Sequence, residues 1–298
     1  MNTEVDLAPV GVRLLNAFLD RRSAHTSRAY AADLRACAAA LNMSDVDLCG
    51  FLAQTSQVNC NQAIFACKRI MVRDGKRAST VNRHLAAVSS LLKMGRLFGL
   101  TSNTCEVKRE RVVSYRDTRG PNAEKIAATV ATIEARGDMK STRDLAMIRL
   151  LFNQGLRAGE VVGVDLEHYD RTESRLSILG KGRTDRQWVQ LSPKAVQALE
   201  RWLALRGDAP GPIFGSMQAR SLGLRLDRQD VWRMLRPYGI KPHGLRHSAI
   251  TQALEATGGD LRAVQRFSRH MNIATLQIYD DARREGSGKV AALLDDIA

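Results

Sequence analysis

The run His243-Gly244-Leu245-Arg246-His247 is followed by Arg269-His270 and by Ile278-Tyr279, while Gly155-Leu156-Arg157 stands far upstream. Together these side chains make an anion clamp with a nucleophile beside it. His270 and Tyr279 are nine positions apart, so a short helix can return the phenol to where the arginines and histidines converge. The chemistry that suits this set is phosphoryl transfer through a tyrosine.

Breaking a phosphodiester without a metal needs neutralised non-bridging oxygens, an in-line nucleophile, a route for its proton and an acid for the leaving alkoxide. Arg157 and Arg246 are the clamp candidates, because the guanidinium fork matches phosphate oxygens bidentately and stays charged. Arg157 lies between Leu150-Leu151-Phe152 and Val161-Val162, where an unpaired cation is costly. Glu160, three residues on, is placed to hold it. His243 and His270 suit hydrogen bonding to the phosphate and proton transfer, since imidazole titrates near neutrality. His247 reads equally well as a supporting residue or as part of the core. Tyr279 is the only tyrosine in the last fifty residues; a phenol titrates near 10, so cationic neighbours favour its attack as phenolate. Lys181 is the candidate acid for the leaving oxygen, and Arg183 and Arg186 compete with it, although lysine gives up a proton far more readily.

The spacing of His243 and His247 also matches two zinc ligands, with His270 as a third. No Glu follows His243 as in HExxH, and Arg246 between the histidines repels a dication while favouring a phosphate. The expectation is no metal and no cofactor.

Lys and Arg number 45 against 31 Asp and Glu, for a net charge of +14 and an isoelectric point near 10.1. Such an excess fits a polyanionic partner, with nucleic acid first among them. The length of 298 residues suggests two domains. All five cysteines lie before residue 106 with no CxxC pair, which fits reduced, mostly buried thiols. Early charges such as Glu4, Asp6 and Arg13 and the lack of a long apolar run predict a cytoplasmic protein with no membrane partner.

The elements that must position these residues follow from periodicity. Helical spacing predicts helices over 10–19, 26–41, 45–53, 61–72 and 80–98, the last with Ser79-Thr80 as cap candidates and Gly99 as its stop. The pattern lapses over 101–120 and resumes at 122–136 and 141–152. Short alternating runs at 175–179 and 187–191 flank a glycine-rich cationic turn, predicting a β-hairpin. Helices return at 193–205, 227–235, 245–256, 261–267 and 273–279. The expected fold is mainly α with a small antiparallel β-sheet: a helical DNA-binding domain over 1–104, a basic linker over 105–120 and a mixed catalytic domain over 121–298. Arg28, Arg83, Lys108, Arg109, Arg111 and Arg183 are the candidate DNA contacts.

At this point the chain resembles the tyrosine recombinases, the phage integrase family that includes Xer-type enzymes. The family's order of Arg, Lys, His-x-x-Arg, His or Trp, and Tyr is matched by Arg157, Lys181, His243, Arg246, His270 and Tyr279. The N-terminal half looks like the family's core-binding domain, with His25-Thr-Ser-Arg-Ala-Tyr30 and Thr80-Val-Asn-Arg-His-Leu-Ala-Ala-Val88. Two departures stand out: Gly244 where many relatives have Asp, and Phe267-Ser268-Arg269-His270 in place of the commoner Leu-Leu-Gly-His.

The resemblance implies that the tyrosine attacks a scissile DNA phosphate, leaving a 3′-phosphotyrosine and a free 5′-hydroxyl that attacks the partner strand. It implies no ATP or metal, double-stranded recombination sites as partners, and a homo-tetramer on DNA formed from free monomers. The tail after Glu285-Gly-Ser-Gly288, with Val290-Ala-Ala-Leu-Leu294, looks like a hinge and a short helix that docks on its own or a neighbouring protomer. A type IB topoisomerase or a catalytically silent regulator are the alternatives. The core-binding half weighs against the first, and the complete catalytic set against the second.

Overall fold

The chain is seen here in a computed structural model that describes residues 8–20, 24–112, 120–180 and 182–283. Two compact units divide it, Met1–Tyr115 and Arg116–Ala298. It is mainly helical with one small antiparallel sheet.

The first unit contains five helices: α1 (Val10–Asp20), α2 (Ala24–Ala40), α3 (Asp45–Gln54), α4 (Gln57–Arg73) and α5 (Ala78–Leu97). Ser44 and Ser56 open α3 and α4 by accepting the backbone N–H groups of Asp47 and Asn59, which satisfies donors a helix start leaves orphaned. Helix α5 begins two residues earlier than expected, at Ala78 after Arg77, with no side-chain cap; Ser79 and Thr80 lie inside it. Gly99 does follow its end at φ 66°, the left-handed stop that glycine adopts freely. Leu14, Phe18, Leu34, Leu48, Leu52, Val81 and Leu91 fill the core, each burial contributing about 1.5–3 kcal/mol. Helices α1 and α3 cross at Gly11 and Gly50, where a Cβ on Gly11 would lie 2.3 Å from the Val46 carbonyl oxygen. All five cysteines are free thiols in this unit, four of them buried.

The stretch expected as a linker, 105–120, is described as far as Val112. Up to there the extended backbone from Thr101 is strapped to the helices by side-chain amides. Asn103 donates to the carbonyls of Leu52 (2.9 Å) and Thr55 (2.8 Å), Gln57 accepts from Thr104 N, and Asn61 accepts from Glu106 N. Asn82 then both donates to and accepts from the backbone of Glu110. Helical periodicity lapses here because the backbone groups find their partners in side chains rather than four residues away. Residues 113–119 lie outside the described ones.

The second unit opens with α6 (Ala123–Glu134) and α7 (Met139–Asn153), capped by Asn122 and Asp138. A short α8 (Ala158–Val162), which the sequence did not announce, leads into strands β1 (Tyr169–Asp170), β2 (Arg175–Leu179) and β3 (Arg186–Gln190). They form one antiparallel sheet in chain order, with Leu176 opposite Val189 and Ser177 opposite Trp188. Helices α9 (Pro193–Arg206), α10 (Arg228–Leu235), α11 (Pro242–Ala256), α12 (Leu261–Ser268) and α13 (Ala274–Arg283) complete the unit. Helix α7 packs against α6, α9 and α11 over a core of Leu150, Leu151, Leu156, Ile178, Leu199 and Phe214. A smaller cluster of Ile250, Leu254, Val264, Leu276 and Tyr279 joins α11, α12 and α13. Helix α11 starts three residues before the expected 245, because Pro242 serves as its first residue. This brings His243 into the helix.

Candidate active site

The turn after α7 is the foundation. Gly155 takes φ 56°, and a Cβ there would sit 3.0 Å from the Phe267 ring, so both conformation and contact call for glycine. Its carbonyl is thereby freed to face α11. Arg246, 2% exposed, donates from α11 to the Gly155 carbonyl and to the Ser268 carbonyl.

Arg157 is the residue that caps α8, and Glu160 closes the cap. One Glu160 oxygen accepts the Arg157 N–H at 2.9 Å while the other takes Arg157 Nη1 at 2.6 Å. Arg157 keeps 30% of its side chain exposed, whereas Glu160 keeps 3%. Both Glu160 oxygens are thus in contact with Arg157. Burial opposes its ionisation, but the Arg157 N–H and the Arg269 and Arg157 guanidiniums outweigh this and hold the carboxyl below its ordinary range. Burial, with Arg157 and Arg269 next, pulls Arg246 down to about 9, still charged at neutral pH.

His270 follows α12, and its Nδ1 lies 2.8 Å from the buried Ser268 hydroxyl. Burial first, then Arg246, Arg157 and Arg269, push its pKa down to about 4. At neutral pH it is an uncharged imidazole. Tyr279 on α13 is 5% exposed, its ring 5.0 Å from that of His247 and 6.3 Å from that of His270. His243 stands one turn before His247, their rings edge-to-face at 4.0 Å. The departure at Gly244 has a packing reason: a Cβ there would meet the Pro121 ring at 3.3 Å, and Ser248 one turn on donates to the Pro121 carbonyl at 2.6 Å.

The fold thus gathers Arg157, Arg246, His243, His247, His270 and Tyr279, with Glu160 behind. Lys181 lies outside the described residues. Its hairpin neighbours Gly180 and Gly182 are in place, and Arg183 is exposed beside them with its side chain 3.1 Å from where a Gly180 Cβ would stand. Arg186, its other competitor, is committed to the Ser177 carbonyl at 2.8 Å. An open cleft of about 510 Å³ lined by Arg183, Trp188, Gln190, Arg266, Arg269 and His270 joins the hairpin to the histidine.

Sequence reasoning passed over Arg269 as a site residue, although it adjoins His270. It is a third guanidinium beside Arg157 and Arg246, its side chain 9% exposed and 3.3 Å from Glu160. Among the expected DNA contacts, Arg28, Lys108, Arg109 and Arg111 are exposed. Arg83 is exposed as well but pairs with Asp33 through Nη2 at 2.8 Å. Lys68, another cation on a polar helix face, is paired with Glu110 and largely covered. Among the described residues one group has metal-like spacing, Asp165, Glu167 and His168. Arg225 already holds Asp165, and His168 Nδ1 accepts the Asp165 N–H. No single helix among the described residues is long and apolar enough to cross a membrane.

The family described as "Phage integrase family" matches residues 118–285. A tyrosine recombinase of Synechococcus elongatus is 37% identical over 284 residues, 91% of this chain and 88% of its own. One from a Synechocystis strain is 33% identical over 293 residues, 93% of each chain. Among solved structures, the XerH site-specific recombinase bound to palindromic difH substrate shares 15% identity at a TM-score of 0.64, covering 96% of this chain and 95% of that one. A lambda integrase dimer bound to a COC′ core site matches equally well, at 13% identity and a TM-score of 0.64 over 89% and 95% of the two chains.

Proposed function

Because this chain belongs to the phage integrase family and is a site-specific tyrosine recombinase, we propose that Tyr279 is its nucleophile and that Arg157, Lys181, His243, Arg246 and His270 are its catalytic partners. The observation that carries this is the Tyr279 ring, packed against His247 and His270 in the same pocket as the Glu160-braced arginines.

Tyr279 gives its phenolic proton to the neutral His270 imidazole as its Oη bonds to the scissile phosphorus and the bond from phosphorus to O5′ breaks. The leaving O5′ takes a proton from Lys181, and the DNA 3′ end stays on the tyrosine. Arg157 and Arg246 neutralise the non-bridging oxygens as negative charge builds on them. Neutral His270 accepts or donates a hydrogen bond without adding charge, and His243 offers a hydrogen bond from the exposed side. In the second step a 5′-hydroxyl from the partner strand attacks the phosphotyrosine and Tyr279 leaves. The exchange is nearly isoenergetic, so no ATP, metal or cofactor enters.

The substrate is double-stranded DNA, and the net charge of +14 favours its capture. Arg28, Arg83, Lys108, Arg109, Arg111 and Arg183 supply backbone contacts, Arg83 with its side chain 64% exposed beside Asp33. Four protomers act on two sites in the cytoplasm, where that DNA lies.

The test is a nicked suicide duplex carrying a site that the full-length protein selects from random DNA. Wild type should form a covalent adduct, and Tyr279→Phe should bind the duplex with unchanged affinity and form none. An adduct formed by Tyr279→Phe, or none by wild type on its selected site, overturns the assignment.

A further inference from the structure

Helix α12 ends at Arg269, which takes the left-handed conformation at φ 57°, ψ 37° and closes the helix by donating its N–H to the Gln265 carbonyl at 2.8 Å. Glycine or asparagine is the usual occupant of such a position, since a side chain crowds the backbone there. A long cation in its place needs another reason. The side chain supplies one, because it folds inward and keeps only 9% of its surface exposed.

Its contacts coincide with those of the two clamp arginines. Nη2 lies 3.3 Å from Glu160 Oε2, the oxygen that also accepts the Arg157 N–H, and 3.2 Å from the Gly155 carbonyl, which also accepts from Arg246. Nη1 donates to the Phe267 carbonyl at 2.8 Å, anchoring the guanidinium to its own turn. Arg269 thus meets the carboxylate that holds Arg157 and the carbonyl that holds Arg246. Three guanidiniums around one carboxylate leave the pocket two positive charges in excess, a field suited to a phosphate.

We infer that Arg269 is a positioning residue for the phosphate clamp, holding Arg157 through the Glu160 carboxylate and Arg246 through the Gly155 carbonyl, a role that rests on the recombinase reading above. Both of its Nη groups are spent on protein acceptors and its Nε is buried, so it acts through the other two arginines rather than on the DNA. The histidine turn and the Arg157 turn, 115 residues apart at Arg269 and Gln154, are joined by the same side chain.

The experiment compares single-turnover adduct formation on the selected suicide duplex for wild type, Arg269→Gly, Arg269→Lys, Glu160→Gln and the double variant Arg269→Gly/Glu160→Gln, with duplex affinity and melting temperature measured alongside. Arg269→Gly suits the left-handed backbone, so its fold should persist, while adduct formation should slow about 10- to 100-fold at unchanged affinity. In the Glu160→Gln background the same substitution should slow it by a clearly smaller factor than in wild type, because one of the two routes, the one through the carboxylate, is already cut. A side chain that merely supports the fold would instead give equal losses in both backgrounds, tracking melting temperature.

A wild-type rate for Arg269→Gly, or equal losses in both backgrounds, overturns the inference. Should Arg269→Gly lose its fold, Arg269→Lys decides: it keeps the charge but cannot reach Glu160 and Gly155 together, and a wild-type rate from it overturns the inference equally. Failure of the underlying reading is visible separately, as a wild type that forms no adduct at all.

Discussion

Arg246 donates to the carbonyl of Gly155, two residues before Arg157, so the two arginines from distant parts of the chain are set by one turn of backbone. Lysine at 246 has one ammonium and cannot serve the Gly155 and Ser268 carbonyls as the guanidinium fork does. Arg246→Lys should lower unfolding free energy in urea by about 1–3 kcal/mol, the cost of a buried acceptor left unmet. It should also abolish covalent adduct formation. A variant as stable and as active as wild type would show that the two carbonyl contacts do not order the clamp.

Among the described residues Glu160 is the one carboxylate paired with Arg157 and Arg269, and it is 3% exposed. Glu160→Gln keeps the shape and removes the charge, leaving Arg157 and Arg269 facing each other without a counter-ion. The loss should be about 2–4 kcal/mol, somewhat less than for a fully buried pair because Arg157 keeps access to solvent. Chemical denaturation reads it, and an unchanged midpoint would refute the bracing role.

The lowered pKa of His270 makes stability depend on pH in a set direction. Its imidazole ionises near 4 in the folded protein against 6.5 unfolded, so the unfolded chain binds the proton more readily between those values. Stability contributed by the neutral ring is complete above about pH 6.5 and is lost as pH falls toward 4. The melting temperature should therefore drop across that window, and His270→Gln should flatten the drop. An identical pH slope in the variant would place the proton uptake elsewhere.

Crossing of α1 and α3 rests on Gly11. An added methyl would stand 2.3 Å from the Val46 carbonyl oxygen, backbone that cannot swing aside. Gly11→Ala should cost about 1–3 kcal/mol in denaturant unfolding, as overpacking does. Full stability in the variant would mean that the helices separate without penalty.

Much of the site could be read in the sequence because its members are marked by local chemistry. Arg246 sits three residues after His243 on one helix, Glu160 three after Arg157 at a helix start, and the hairpin shows as two alternating runs about a glycine-rich turn. Helix starts were less legible. Pro242 opens α11 before any apolar residue signals it, and Ser79 and Thr80 resemble caps while lying inside α5. The stretch from 101 to 112 lost its period and read as linker, yet asparagine and glutamine side chains tie it down. Asn103 lies in the stretch itself, while Gln57 and Asn82 sit on helices where nothing nearby in sequence marks them as partners.

The sequence by itself determined the residue types of the clamp and nucleophile, the positive charge and the helical and hairpin periods, all of which are written within a few neighbouring positions. The tertiary structure decided which charges stay available and which are spent. Lys68 is paired with Glu110 and largely covered, and Arg269 with the same carboxylate and carbonyl that fix Arg157 and Arg246. The reason is separation along the chain. The Arg246 contact to Gly155 spans 91 residues and the Arg269 contact to Glu160 spans 109, and hydrogen bonds over such distances leave no period in a sequence, only a place in a fold.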